Sequence, residues 1–182
     1  MRVIAGRLKG RRLEPPTWTG VRPSSDKLRE TMFNVIAARV PGARVLDGFA
    51  GTGAVGIEAL SRGAGHVTFV ERDPRAVALV ARNLDRCGVK DGYTIERGDV
   101  ASVLRRRLSG AEFDLILLDP PYDAEPDTVS GALSAAAARM SADAVLVLER
   151  ARRREPIVPA PLQRVRDVLS GDSALTFMQV LR

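Results

Sequence analysis

The chain has 182 residues, 45% hydrophobic and 27% charged, an ordinary soluble composition long enough for one domain that buries roughly 70% of its unfolded surface. One cysteine, Cys87, excludes an internal disulfide framework. No apolar run reaches the ~20 residues of a membrane span and the N-terminus lacks a signal peptide's apolar core, so a cytoplasmic protein is expected. The net charge of +6 is concentrated: residues 1–30 hold Arg2, Arg7, Lys9, Arg11, Arg12, Arg22, Lys27 and Arg29 against Glu14, Asp26 and Glu30, nearly the whole surplus. Arginine is the default cation everywhere, with lysine only at 9, 27 and 90. The clustering nevertheless favours a face that binds a polyanion such as nucleic acid.

Arg2 to Ala5 and Arg11 to Glu14 around Leu8-Lys9-Gly10 read as a short basic hairpin, with no apolar alternation long enough to demand a place in the core. Pro15, Pro16 and Trp18 then make a loop. Ser24 or Ser25 caps a helix to about Arg39 whose apolar face is Leu28, Met32, Val35 and Ile36. From Arg44 onward strand and helix alternate. A strand begins at Val45-Leu46, followed by a helix over Ala54 to Arg62 and a second strand over His66 to Val70. Asp73-Pro74 caps and starts a helix to Arg86. Strands at Tyr93 to Arg97, Phe113 to Leu118 and Val145 to Leu148 are separated by helices near Val100 to Leu108 and Asp127 to Met140. Gln163 to Leu169 and Leu175 to Leu181 form a closing hairpin about Ser170-Gly171-Asp172. Such alternation predicts an α/β fold, a mostly parallel sheet with helices on both faces and ligands beyond the carboxyl ends of the strands.

Two motifs fall at such ends. In Val45-Leu46-Asp47-Gly48-Phe49-Ala50-Gly51-Thr52-Gly53, the stretch Gly51 to Gly56 satisfies GxGxxG, and Glu71 follows at about the offset of a ribose-binding acid. A nicotinamide fingerprint starts its glycines at the strand end to receive a pyrophosphate, whereas here an acid, Asp47, precedes a longer loop. A cofactor with an ammonium and a sulfonium and no phosphate suits that acid, and S-adenosylmethionine is one. Asp99, after Gly98, ends the third strand region within reach of an adenine amino group. The second motif, Asp119-Pro120-Pro121-Tyr122, closes the apolar run Phe113 to Leu118. Two prolines hold the local carbonyls rigidly, so a carboxylate, a carbonyl and an aromatic face lie within four residues, a set that fits a planar base with an exocyclic amino group. An ordinary strand-end turn is the bland alternative.

Asp47 to Gly53 resembles the D-x-F-A-G-[ST]-G motif of class I S-adenosylmethionine-dependent methyltransferases, and Asp119 to Tyr122 the [DNS]-P-P-[YFW] motif of amino-group methyltransferases. With Arg22-Pro23-Ser24-Ser25-Asp26, Leu28-Arg29-Glu30-Thr31-Met32-Phe33-Asn34 and the opening Arg2-Val3-Ile4-Ala5-Gly6, the whole chain resembles the RsmD family of bacterial 16S rRNA guanine-N2 methyltransferases, which act on guanine 966. Gly48 and Thr52 depart from the commoner Leu and Ser, and Gly48 is expected to loosen the loop.

The resemblance implies a Rossmann-like methyltransferase domain over residues 41–182 and an N-terminal extension over 1–40 that docks RNA. It implies cofactor contacts from Asp47, Gly48, Phe49, Ala50, Gly51, Gly53, Glu71, Arg72, Asp99 and Val100, and base handling by Asp119, Pro120, Pro121 and Tyr122. It implies RNA contacts from Arg2, Arg7, Lys9, Arg11, Arg12, Arg22 and Lys27, and places Arg22 and Ser25 near the cofactor or RNA. The implied partner is 16S rRNA, free or in an assembling small subunit; no metal is expected, and a monomer is. An amino-group methyltransferase of another RNA or of DNA adenine shares both motifs, although a DNA enzyme usually carries a larger target-recognition region. An NAD-linked reductase is disfavoured by the loop, and a non-catalytic RNA-binding module leaves Asp119 to Tyr122 unexplained. Cys87, distant in sequence from both motifs, disfavours a cysteine-dependent pyrimidine reaction.

Overall fold

The strands β1 (Arg44–Gly48), β2 (His66–Glu71), β3 (Tyr93–Arg97), β4 (Phe113–Leu118), β5 (Met140–Ala151), β6 (Leu162–Ser170) and β7 (Ser173–Val180) join in one sheet of order β3-β2-β1-β4-β5-β7-β6. In this computed structural model residues 1–18 and 25–181 are described. Neighbours from β3 through β5 pair in parallel, while β7 runs antiparallel between β5 and β6. The helices are α1 (Asp26–Ile36, continued by a 3-10 turn Ala37–Arg39), α2 (Ala54–Ser61), α3 (Pro74–Arg86), α4 (Val100–Arg106) and α5 (Pro126–Ala137).

Successive strand residues point to opposite faces, so the inner strands feed two cores. Val45, Leu115 and Leu117 join Leu28, Phe33, Ile57 and Leu84 from α1, α2 and α3. Leu46, Ile116 and Leu118 join Leu104 and Leu133 from α4 and α5 on the other face. Burial on both faces explains why β4 reads as an unbroken apolar run. Because β1 lies between β2 and β4, the strand order turns outward in both directions at β1, and a crevice opens beyond the carboxyl ends of β1 and β4.

Three expectations are corrected. Residues 1–14 do fold back on themselves, through the bridge of Arg2 to Arg12 and the backbone bonds of Val3 to Arg11 (2.9 Å) and Leu13 to Met1 (3.2 Å), but Val3, Leu8 and Leu13 are buried in the same core as α1, α2 and α3. The segment is fastened by side chains: Glu58 accepts from the amides of Ile4 (2.7 Å) and Ala5 (3.0 Å), Ser61 Oγ from that of Leu8 (2.9 Å) and Asn83 Oδ1 from that of Glu14 (2.7 Å). The α1 face is also wider than its periodicity suggests. Val35 is exposed while Phe33 and Arg29 are buried, because Arg29 reaches the Arg2 carbonyl (2.6 Å) and Asp26 (3.0 Å). Finally, β5 begins at Met140, where the preceding helix was expected to end, and continues to Ala151. Its weakly apolar start pairs with Phe113 across an irregularity in register that the local pattern does not signal. Ser25 makes the N-cap bond of α1, to Leu28 (3.1 Å); Ser24 and Arg22 lie outside the described residues.

Candidate active site

The loop after β1 turns through backbone conformations that few residues adopt. Phe49 stands at φ 62°, Gly51 at 55° and Gly53 at 77°, and Gly53 is the N-cap of α2. A non-glycine residue in this region costs about 1–3 kcal/mol, and such residues gather at functional sites. Gly56, in the first turn of α2, serves close approach: a Cβ there would lie 2.2 Å from the Phe69 ring and 2.9 Å from Asp47 Oδ2. Its amide donates to Asp47 Oδ2 at 2.8 Å. The glycine at 48 does not leave slack, since Leu118 and Val100 occupy the space a side chain would take.

Each acid beside this loop is oriented by backbone N–H groups. Glu71 Oε2 accepts from Gly51 (2.9 Å), and Oε1 from Arg72 (2.7 Å) and Asp73 (2.9 Å). Of about four acceptor sites on a carboxylate, three are therefore engaged and one on Oε2 remains. Asp47 is buried, which pushes its carboxyl well above the usual range; the Gly56 amide opposes this shift, and the negative charges of Asp119 and Glu71 add to it. A cation arriving here relieves both burial and repulsion.

Opposite the loop, Asp119 follows β4, its amide bonded to the Gly48 carbonyl at 3.2 Å. The Pro121 carbonyl accepts from Ala124 (2.9 Å), closing a turn, whereas no hydrogen bond within the described residues takes the carbonyl of Pro120, a residue of the cavity wall. Tyr122 is held at its hydroxyl, by Ser173 Oγ at 2.5 Å and Glu149 Oε1 at 3.5 Å. Its ring is thus set by the ends of β5 and β7.

One cavity of about 550 Å³ joins the two sides, lined by Asp47, Phe49, Ala50, Gly51, Glu71 and Arg72 and by Asp119, Pro120, Pro121 and Tyr122. The volume suits a small-molecule ligand. Six of the ten residues implied for the cofactor and all four implied for the base thus meet in one space. Gly48, Gly53, Asp99 and Val100 do not line it. Gly48 and Gly53 shape the loop behind the wall, Val100 packs in the core, and Asp99 is the N-cap of α4, accepting from Ser102 at 2.9 Å. Ser25 lines the cavity, as do Thr52, Asp73, Glu149 and Ser173, which sequence reasoning passed over. Asp73 is the one with a local signal, as an N-cap two residues after Glu71. Of the implied RNA contacts, Arg2, Arg7, Lys9, Arg11, Arg12 and Lys27 are exposed. Cys87 is buried at the end of α3, where burial pushes its thiol up, and is not in the cavity wall. Among the described residues no group of three or more His, Cys, Asp and Glu is placed to hold a metal, and no helix is long and apolar enough to cross a membrane.

The sheet order, the antiparallel β7 and the glycine loop beyond β1 are the fold of the S-adenosylmethionine-dependent methyltransferases. The Escherichia coli structure titled "Putative methyltransferase yhhF" superposes with a TM-score of 0.85 at 28% identity, over 99% of this chain and 97% of that one. A family model described as "Conserved hypothetical protein 95" matches residues 1–179. The chain belongs to that family, the RsmD family. Relatives include "Putative rRNA methyltransferase YlbH" of Bacillus subtilis, 44% identical over 67% of this chain and 67% of its own length. "Ribosomal RNA small subunit methyltransferase D" of Haemophilus influenzae is 36% identical over 67% of this chain, the match spanning 64% of that relative.

Proposed function

We propose that the protein transfers a methyl group from S-adenosylmethionine to an exocyclic amino group of a base in ribosomal RNA. In its finer form the acceptor is N2 of a guanine in 16S rRNA, guanine 966 by the family resemblance. The observation that carries this reading is the single cavity in which a carboxylate-flanked glycine loop faces Asp119-Pro120-Pro121-Tyr122. The names of the relatives supply the RNA.

The donor set fits the cofactor. Glu71, fixed by three amides, keeps an acceptor site for a ribose hydroxyl, and the buried Asp47 gains from a nearby cation. When bound, S-adenosylmethionine supplies an electrophilic methyl carbon on a cationic sulfur. Asp119 and the Pro120 carbonyl accept the two N–H bonds of the amino group, which shifts electron density onto a nitrogen otherwise delocalised into the ring and aims its lone pair. Tyr122 stacks on the base, its ring kept in place by Ser173 and Glu149. No base has to remove a proton before attack, since the methylated nitrogen becomes acidic and releases its proton to Asp119 or solvent.

Residues 1–40 act in this reading as the RNA-docking part and 41–182 as the methyltransferase part of a cytoplasmic monomer. The test is incubation with labelled S-adenosylmethionine and 16S rRNA, naked and assembled with small-subunit proteins, followed by nucleoside analysis. N2-methylguanosine is the expected product; a methyl group on another atom overturns the finer assignment, and none on either RNA overturns the reading. Replacing the exposed Arg7, Lys9, Arg11 and Arg12 by Gln should weaken RNA binding and flatten its log–log salt dependence by up to about one unit per residue, with cofactor affinity retained.

A further inference from the structure

Tyr122 belongs to two cavities. Beside the main one lies an open groove of about 660 Å³, lined by Tyr122, Ala151, Arg152, Arg153 and Asp172. The turn after β5 that forms it is rigid for a specific reason. Arg150 is buried and donates from Nη1 to the carbonyls of Ala151 (3.4 Å), Arg152 (3.1 Å) and Arg154 (3.1 Å), and from Nε to Thr176 Oγ1 (2.9 Å). The Arg152 amide donates to the Asp172 carbonyl at 2.7 Å, joining this turn to the β6–β7 turn.

The charges in this corner are unevenly shared. Glu155 and Asp167 are both taken by Arg150 and Arg164, at 2.6 to 3.5 Å. Arg152 and Arg153 are exposed and, within the described residues, make no side-chain hydrogen bond or ion pair. An arginine whose role is surface solvation needs no buried arginine tying down the turn that carries it. Two rigidly based guanidinium groups, one carboxylate and an aromatic wall shared with the site of chemistry are complementary to a phosphate, a ribose hydroxyl and the base beyond.

We propose that this groove is a sugar–phosphate subsite for the nucleotide adjoining the target base. Arg152 and Arg153 take the phosphate and Asp172 accepts the ribose 2′-hydroxyl, the group that distinguishes RNA from DNA. The proposal rests on the reading of the chain as an RNA base methyltransferase, and it makes the run Arg150 to Arg154 two things: one structural arginine at the root and two that bind at the rim.

The test uses the full chain, labelled S-adenosylmethionine, and 16S rRNA both naked and assembled with small-subunit proteins. R152Q/R153Q should raise the RNA KM about tenfold, with kcat, cofactor Kd and melting temperature unchanged. The log–log salt dependence should flatten by about 1.4 to 1.8, as expected for two lost phosphate contacts. R105Q/R106Q, on the exposed end of α4, is the control and should change nothing. A 2′-deoxy substitution beside the target should weaken wild type several-fold and leave D172A unaffected. Methylation by wild type with an unchanged KM and salt slope in R152Q/R153Q overturns the subsite alone. A wild type that methylates neither RNA overturns the underlying reading as well. Sensitivity of D172A to the deoxy substitution equal to wild type removes the 2′-hydroxyl contact and leaves only the phosphate.

Discussion

The two walls of the cavity are built by different means. On the β1–β2 side both Glu71 and Asp47 are positioned by backbone amides: Glu71 by those of Arg72 and Asp73 beside it and of Gly51, 20 residues earlier, and Asp47 by that of Gly56, nine residues on. On the β4 side Tyr122 is positioned by side chains far along the chain, Glu149 27 residues away and Ser173 51 residues away. Backbone amides survive any side-chain substitution other than proline, so once β1 and β2 have paired the first wall is preorganised by backbone. The second exists only once the sheet has closed through the antiparallel β7, and its precision depends on replaceable hydroxyl and carboxyl groups.

The contrast breaks most visibly at Asp119. Asp119→Ala should lower kcat by roughly 10²–10³-fold, the scale of losing one preorganised polar contact to the reacting group. Cofactor affinity, measured by calorimetry, should stay within about twofold of wild type, since the β1–β2 wall is untouched. The converse change is Glu71→Ala. It should weaken cofactor binding by about 1–3 kcal/mol through loss of a charge-assisted contact, and lower the melting temperature because the amides of Gly51, Arg72 and Asp73 lose their acceptor. Wild-type affinity in a folded Glu71→Ala variant would remove that wall from the cofactor site.

Ser173→Ala sharpens the comparison further. Loss of one hydrogen bond to Tyr122 should cost about 1 kcal/mol, or roughly fivefold in kcat, with cofactor affinity unchanged. An equal loss of kcat and cofactor affinity would mean that the two walls are not independent. The smallest effect lies outside both. Asp114 is held at about 2 chiefly by hydrogen bonding to the Arg44 side chain, with the Arg44 amide and Ser141 helping. The folded-state value lies below the ordinary 3.8, so its contribution is complete above pH 3.8 and disappears as pH falls toward about 2. Arg44 and Asp114 are both more than a third exposed, so Asp114→Asn should cost at most about 1 kcal/mol at neutral pH. The difference between Asp114→Asn and wild type should vanish in acid unfolding below pH 2; a difference that persists there would assign the effect to packing.

The same division decides how much could be read from sequence. The β1 loop, Glu71 and the α3 cap Asp73-Pro74 are contiguous signals with fixed offsets, and they stand in the structure where the pattern puts them. Asp119 to Tyr122 was legible as a motif, but its supports were not, because no local periodicity links Tyr122 to the first residue of β7. Asp99 carried an ambiguous signal, since a strand-end acid before a helix serves equally as an N-cap, and here it makes that bond. Arg29 counts by sequence in the cationic cluster of residues 1–30, yet it is buried and donates to the Arg2 carbonyl, 27 residues earlier. In each case the missing information is tertiary pairing.

The fastening of residues 1–14 has a consequence for the order in which the molecule is made. The amides of Ile4 and Ala5 await Glu58, 54 and 53 residues later, and that of Glu14 awaits Asn83, 69 residues later. During synthesis at about 5–20 residues per second, the most cationic stretch of the chain is therefore exposed for several seconds before its acceptors emerge. Glu58, in turn, is buried against Ile4 and Ala5, and a chain trimmed by a few residues leaves that carboxylate inside with two donors gone. Residues 1–14 are thus locked only after α2 and α3 have been made, and the buried Glu58 ties their order to that of the helix core.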